Sequence, residues 1–319
     1  MQNTPPGRNE LAAPLHLLGS RPVLAALLGA LTIAFTGVLV RLANVEPATA
    51  AVFRCLYALP VLWWLARAEE RRFGPRAPGQ RRLALIAGLF FAADLVSWHY
   101  AIAMVGAGLA TVLGNTQVVF VAIAAWLFFG ERLTSRLVAA LVIALVGVVL
   151  ISGVIGSDAY GENPVAGVVL GLVTGAAYAG FLLVQRMGNR DPRRPAGPLF
   201  DATTSAAAGS ALAGIVLGQI TFLPSWPAHG WLVILALSAQ VVGYLLISVA
   251  LPRLPSALTS IVLLIQPVAA VGLAMLILGE APSSTQLLGV GLVVGGVIMA
   301  TARAPRAGRA AVAEATEGP

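Results

Sequence analysis

Apolar residues fill this chain in ten blocks, separated by short stretches where Arg, Pro, Gly, Asp and Asn collect. About 20 consecutive apolar residues cross a bilayer core of roughly 30 Å. The blocks fall at residues 22–42, 48–66, 83–104, 107–129, 137–155, 165–186, 199–220, 230–250, 255–278 and 285–302. They predict an all-α integral membrane protein of ten transmembrane helices. The first block is full length and lacks an obvious small-residue cleavage site, so it reads as a retained span. Residues 1–21 are left as an N-terminal tail, 22–155 as a first group of five spans, and 165–302 as a second. Residues 303–319 hold mostly Ala, Gly, Arg and Glu, the composition of a disordered tail.

The two groups repeat one another. Shifting Ala107 to Val148 forward by 149 residues sets Leu109 on Leu258, Gln117 on Gln266, Ala125 on Ala274, Gly130-Glu131 on Gly279-Glu280 and Gly147 on Gly296. A Gln thirteen positions ahead of a Gly-Glu pair, in both halves, is informative where chance matches among Ala, Leu, Val and Gly are common. Five spans separate each residue from its counterpart. An odd number inverts the topology, so the pattern predicts two inverted five-helix repeats, the plan of many secondary transporters.

Composition agrees: of 319 residues 58% are hydrophobic and 10% charged, and the mean hydropathy is +0.88. A net charge of +7 raises the question of a nucleic-acid partner, which the placement of the basic residues removes. All twenty are Arg, and eighteen fall in alternate connections and the two tails if the N-terminus is cytoplasmic. That is the positive-inside pattern, with both termini in the cytoplasm. The connection Arg67 to Arg82 reads as a solvated cytoplasmic loop able to touch anionic lipid. The single cysteine, Cys55, reads as a small buried hydrophobe.

Polar side chains are costly in hydrocarbon, so their placement marks a candidate solute path. Span one offers Thr32, Phe35 and Thr36; span three Asp94, Ser97, Trp98, His99 and Tyr100; span four Thr111 and Asn115. Span six carries Thr174, Tyr178, Phe181 and Gln185 at helical spacing. Span eight carries Gln240, Tyr244 and Ser248, and span nine Ser256, Thr259 and Gln266. Residues named for substrate binding are Thr36, Trp98, His99, Tyr100, Thr111, Asn115, Tyr178, Gln185, Gln240, Tyr244, Ser248 and Gln266. Aromatic rings with mostly uncharged hydrogen-bonding groups suit a small neutral or zwitterionic organic solute. The competing reading is hydrogen-bonded glue between helices. At about 100° per residue, Gln117 turns some 200° away from Asn115, which predicts a packing role.

Gly130, Glu131, Gly279 and Glu280 are expected to cap the fourth span of each half and serve structure and gating. Pro267, beside Gln266, is expected to break helix symmetry there. Arg54 is assigned to structure, facing the bundle or reaching toward Glu46. Asp94 is paired, neutralised by burial or part of a proton relay. Span ten has Gly291 and Gly295 at small-xxx-small spacing, suited to packing on another span or on a second copy in a homodimer. His99 has no second His or Cys nearby in sequence, so no metal is expected, and no motif asks for a cofactor.

Two five-span repeats, each with a Gly-Glu pair and a Gly-rich fifth span, resemble the EamA-type transporters of the drug/metabolite transporter superfamily. Gly130-Glu131-Arg132-Leu133-Thr134 is close to that family's motif, whereas Gly279-Glu280-Ala281-Pro282-Ser283 keeps only the pair. The resemblance spans residues 22–302. It implies a cavity walled by spans one, three, four, six, eight and nine, with export by alternating access across a bacterial-type inner membrane. Members similar to this chain export amino acids, including aromatic ones, or related metabolites and drugs; Trp98, His99, Tyr100, Tyr178 and Tyr244 favour amino acids. An integral membrane enzyme would want a catalytic constellation, and the sequence has no H-E-x-x-H, no G-x-S-x-G and no paired intramembrane carboxylates.

Overall fold

The computed structural model describes residues 21–129, 135–151, 160–189, 191, 193–221, 223, 226–250, 263 and 265–301. Gly130, Glu131, Ser256 and Thr259 lie outside the described residues, as do both predicted tails apart from Arg21. The described residues are helical apart from short connections, in ten successive segments. α1, Pro22–Ala43, is broken at Phe35 into Pro22–Ala34 and Thr36–Ala43. α2 is Pro47–Phe73 and α3 is Pro78–Val105. α4 has two pieces, Ala107–Gly114 and Gln117–Phe129, and α5 is Ser135–Ile151. In the second half α6 is Pro164–Gly188, α7 Ala196–Val216 and α8 Ala228–Ala250, whose middle, Ala236–Gly243, is π-helical. α9 is Ile265–Leu278 and α10 Ser284–Thr301.

Local chemistry sets these boundaries. α1, α2, α3 and α6 begin with Pro in the first turn, where the missing N–H costs nothing and φ is already helical. Asn163 caps α6 by accepting a hydrogen bond from the Ala166 N–H at 3.1 Å. α10 starts with a reciprocal capping box: Ser283 Oγ accepts from the Gln286 N–H at 3.2 Å, and the Ser283 N–H donates to Gln286 Oε1 at 3.1 Å. α3 and α9 end at glycines with positive φ, Gly106 at 90° and Gly279 at 67°.

Six helices, α1, α2, α3, α6, α7 and α8, are long and apolar enough to cross a membrane among the described residues. Large aliphatic side chains such as Leu85, Leu89, Val142, Val169, Leu212 and Leu288 point outward, while the interior is dominated by Ala. An apolar outer belt over a small-residue interior is what a protein dissolved in lipid needs, because association there depends on close packing rather than on expelling water. The protein is an all-α integral membrane protein.

Three counterpart pairs pack on one another, α2 on α7, α4 on α9 and α5 on α10, and the first and last of them run antiparallel. The start of α2 meets the end of α7 through Ala48 and Gly214, and the end of α2 meets the start of α7 through Glu69, Ala196 and Gly197. In α5 and α10 a side chain on Gly289 would stand 2.6 Å from the Gly147 carbonyl, and one on Gly296 would stand 2.8 Å from the Ala140 carbonyl. Those two contacts are the same contact under the 149-residue shift. The remaining packing obeys the same exchange: α3 lies on α6 as α8 lies on α1, and α4 on α6 as α9 on α1.

Two expectations change here. Within the chain Gly289 and Gly296 carry the close approach of α10; space around Gly291 and Gly295 is open, so that pair does not pack on another described span. The Arg67 to Arg82 segment is not a solvated loop: α2 continues to Phe73, α3 begins at Pro78, and only 74–77 connect them. Glu and Arg are good helix formers, so the helix outlasts its apolar run. The extension is docked rather than free. Glu69 accepts from the Ala196 and Gly197 amides at 2.9 and 2.8 Å, Arg76 pairs with buried Asp201 at 2.7 Å, and Arg194 donates to the Gly74 carbonyl at 2.8 Å. Nearby, the half-buried carboxyl of Asp191 is held below its usual range chiefly by the hydrogen bonds it accepts from Arg193.

The tightest crossing is between α3 and α7 at Gly88, where an added methyl would collide with the backbone carbonyl of Ala202 and with Ser205 Oγ. Gly88→Ala is expected to cost about 2–3 kcal/mol and to lower the thermal midpoint measured by scanning fluorimetry in detergent. Gly291→Ala, facing open space, is the neutral control.

Candidate functional site

Three of the helices that reach the bundle centre are irregular there. α1 is interrupted at Phe35, α4 at Asn115 and Thr116, and α8 is π-helical from Ala236 to Gly243. Interruptions free backbone groups that must find partners, which is tolerable in a membrane only where protein or a cavity surrounds them. In α4 side chains supply the partners. The Asn115 amide donates to the Thr111 carbonyl at 2.8 Å, the Thr116 hydroxyl to the Leu113 carbonyl at 2.6 Å, and the Thr111 hydroxyl to the Ala107 carbonyl at 2.9 Å.

Around these breaks lies a cavity of about 70 Å³. It is lined by Ile33 and Thr36 from α1, Arg54 from α2, and Asp94, Leu95 and Trp98 from α3. Thr111, Gly114, Asn115 and Gln117 come from α4, Thr174 and Tyr178 from α6, Tyr244 from α8 and Gln266 from α9. Toward the α2–α3 turn stands an aromatic layer. Phe91 stacks on Phe181 at 4.6 Å between ring centres, Phe181 on Tyr178 at 5.7 Å, and Phe91 meets Tyr244 edge-on at 5.2 Å.

Of the residues named from sequence, the structure brings together Thr36, Asp94, Trp98, Thr111, Asn115, Tyr178, Tyr244 and Gln266. Others stand apart. The buried His99 ring bonds the Leu95 carbonyl through Nδ1, Tyr100 donates its hydroxyl to Gln219, and buried Gln240 donates to Thr203 Oγ1 at 3.1 Å. Gln185 and Ser248 are also absent from the lining. Pro267 is buried in α9 beside Gln266.

Gln117 differs from its expected place, whereas Arg54 takes one of its two, facing the bundle. Arg54 is 2% exposed and lines the cavity instead of reaching outward to Glu46. Gln117 lines it as well, because the break at Asn115–Thr116 interrupts the 100° progression that turned it away. Several lining atoms have no hydrogen-bond partner within the described protein: Thr36 Oγ1, Arg54 Nε and Gln117 Oε1. Donors and acceptors left open on a cavity wall are groups a polar solute can engage.

Glu280 joins the two halves at the far end of the cavity from the aromatic layer. Its buried carboxylate accepts from the Ala107 N–H at 2.7 Å and the Gly108 N–H at 3.1 Å, at the start of α4. Its side chain therefore caps the start of the fourth helix of the other repeat, while its N–H closes the end of its own fourth helix on the Ala274 carbonyl at 3.2 Å. Gly106 permits the contact, since a side chain there would stand 2.9 Å from Glu280 Oε2. Next to it, Gln286 holds the Tyr160 N–H at 2.8 Å and reaches the Ile151 carbonyl at 3.2 Å, tying α10 to the end of α5.

The profile of the EamA-like transporter family matches residues 20–153 and again 165–302. The chain belongs to that family. This EamA-like chain is therefore a membrane transporter of the drug/metabolite transporter type, carrying the family's module twice. It also matches 29 chains of solved structures. One, titled only as the crystal structure of a protein, aligns over 94% of this chain and 99% of its own with a TM-score of 0.61 and 19% identity, a likeness of fold. No curated protein matches the sequence.

For this EamA-like transporter the sequence stripes found most of the cavity wall but missed α2. One arginine in an apolar helix gives no periodicity to read, and its direction emerges only once α2 packs between α7 and α8. Glu69 was missed for a similar reason, because nothing local to it signals the distant helix start it caps.

Proposed function

We propose that this transporter exports small zwitterionic organic solutes, foremost amino acids, from the cytoplasm across a bacterial-type inner membrane. It crosses the membrane ten times, keeps both termini in the cytoplasm, and works by alternating access through the central cavity. The observation that carries this reading is the cavity itself. Polar and aromatic side chains from both repeats converge on it, at the helix breaks, with donors and acceptors left open. Packing glue alone would leave those groups bonded to each other. The placement of the arginines supports assigning the Arg-rich end to the cytoplasm, and antiparallel counterpart helices supply two equivalent ends that can open in turn.

Uptake of a panel of labelled amino acids into proteoliposomes, with and without a pH gradient, tests this. Saturable uptake above that of empty liposomes is expected for at least one member. A gradient-dependent rate that Asp94→Asn abolishes would mark Asp94 as the proton carrier. Uptake no faster than in empty liposomes for every amino acid would overturn the reading.

A further inference from the structure

Arg54 and Asp94 are the two charged residues among those lining the central cavity. Both are buried, at 2% and 6% exposure. No carboxylate among the described residues comes within the 4.0 Å ion-pair distance of the Arg54 guanidinium, and its Nε has no partner. A guanidinium cannot shed its proton, and Asp94 on the same cavity wall offsets its charge through space without touching it, so the donors of Arg54 stay open to a group the cavity receives. The remaining lining groups, among them Thr36, Asn115 and Gln266, are neutral. A planar fork of donors matches a carboxylate, and a carboxylate opposite it matches an ammonium.

We propose that Arg54 is the specificity residue of the cavity: it binds the carboxylate of the solute while Asp94 faces its ammonium. This rests on the reading of the cavity as the solute path, and it adds a requirement that reading lacks. A solute must carry both charges, because a singly charged one leaves the other wall group buried and uncompensated. Arg54 comes from α2 and Asp94 from α3, so both charges belong to the first repeat. The solute then has one orientation in a cavity whose walls are otherwise built from both repeats.

Counterflow in proteoliposomes, using whichever labelled amino acid of the panel the wild type carries fastest, tests the pair. The competitors are the same amino acid, its amide and its N-acetyl derivative. In wild type the amide and the N-acetyl compound are expected to compete at least about ten-fold less well than the amino acid. Arg54→Gln should erase the discrimination against the amide and leave that against the N-acetyl compound. Asp94→Asn should do the reverse, and Arg54→Lys should keep part of the carboxylate preference. The competitor series on wild type decides even if a variant fails to fold. Carriage in which the amide competes as well as the amino acid overturns the proposal alone, as does an Arg54→Gln protein with the wild-type ratio. A wild type that carries no amino acid of the panel overturns the transport reading and this proposal with it.

Discussion

Replacing Glu280 with Ala is expected to lower the thermal midpoint of the purified protein by roughly 5–10 °C. Its two carboxylate oxygens hold the Ala107 and Gly108 amides at 2.7 and 3.1 Å inside the protein. Those amides begin a helix and have no intrahelical acceptor, and the positive end of the helix dipole adds to the attraction for a carboxylate. Hydrogen bonds to a buried charge each contribute more than neutral ones, so losing the pair should cost about 3 kcal/mol. Glu280→Gln keeps one acceptor but points an amide donor at a donor, and should recover at most about half of the loss. Differential scanning fluorimetry in detergent measures both. A Glu280→Ala midpoint within about 1 °C of wild type would show that the contact does not hold the halves together.

Arg76→Met is expected to be comparably damaging for a different reason. Arg76 and Asp201 meet at 2.7 Å with side-chain exposures of 5% and 4%. Removing the guanidinium leaves a buried carboxylate whose other partner, Arg81, is 3.7 Å away on an exposed side chain. Breaking a buried pair from one side costs about 3–5 kcal/mol, much of it the orphaned charge. The Arg76→Met, Asp201→Asn double variant removes that charge and should regain at least half of the loss in the same thermal assay. Equal midpoints for the single and double variants would contradict this account.

These two contacts also show what the chain discloses before it folds. Ten apolar blocks and a 149-residue shift were legible because span length and duplication are properties of sequence alone. Trp98, Tyr244 and Gln266 were legible as candidates because a polar or aromatic group in an apolar helix stands out. What failed were inferences that carried a regular helix through an irregular one. Gln117 was turned from the cavity by a ruler that does not survive the break at Asn115–Thr116. The pairing of Glu280 with α4 of the opposite repeat, and of Glu69 with α7, was hidden because acceptor and donor lie 172–173 and 127–128 residues apart. Helix-forming Glu and Arg residues extended α2 beyond the apolar run used to end it, and the close-packed face of α10 passes through Gly289 and Gly296, outside the small-xxx-small pair.

The central claim is that solute passes between the repeats through the cavity where α1, α4 and α8 are irregular. Counterflow of a labelled amino acid into proteoliposomes, compared between wild type and the single variants Trp98→Ala, Tyr244→Ala and Gln266→Ala at equal reconstituted amounts, tests it most directly. The account predicts saturable counterflow in wild type and a loss of about ten-fold or more in at least one of the three, with thermal midpoints showing each variant folded. Wild-type rates in all three folded variants would contradict it.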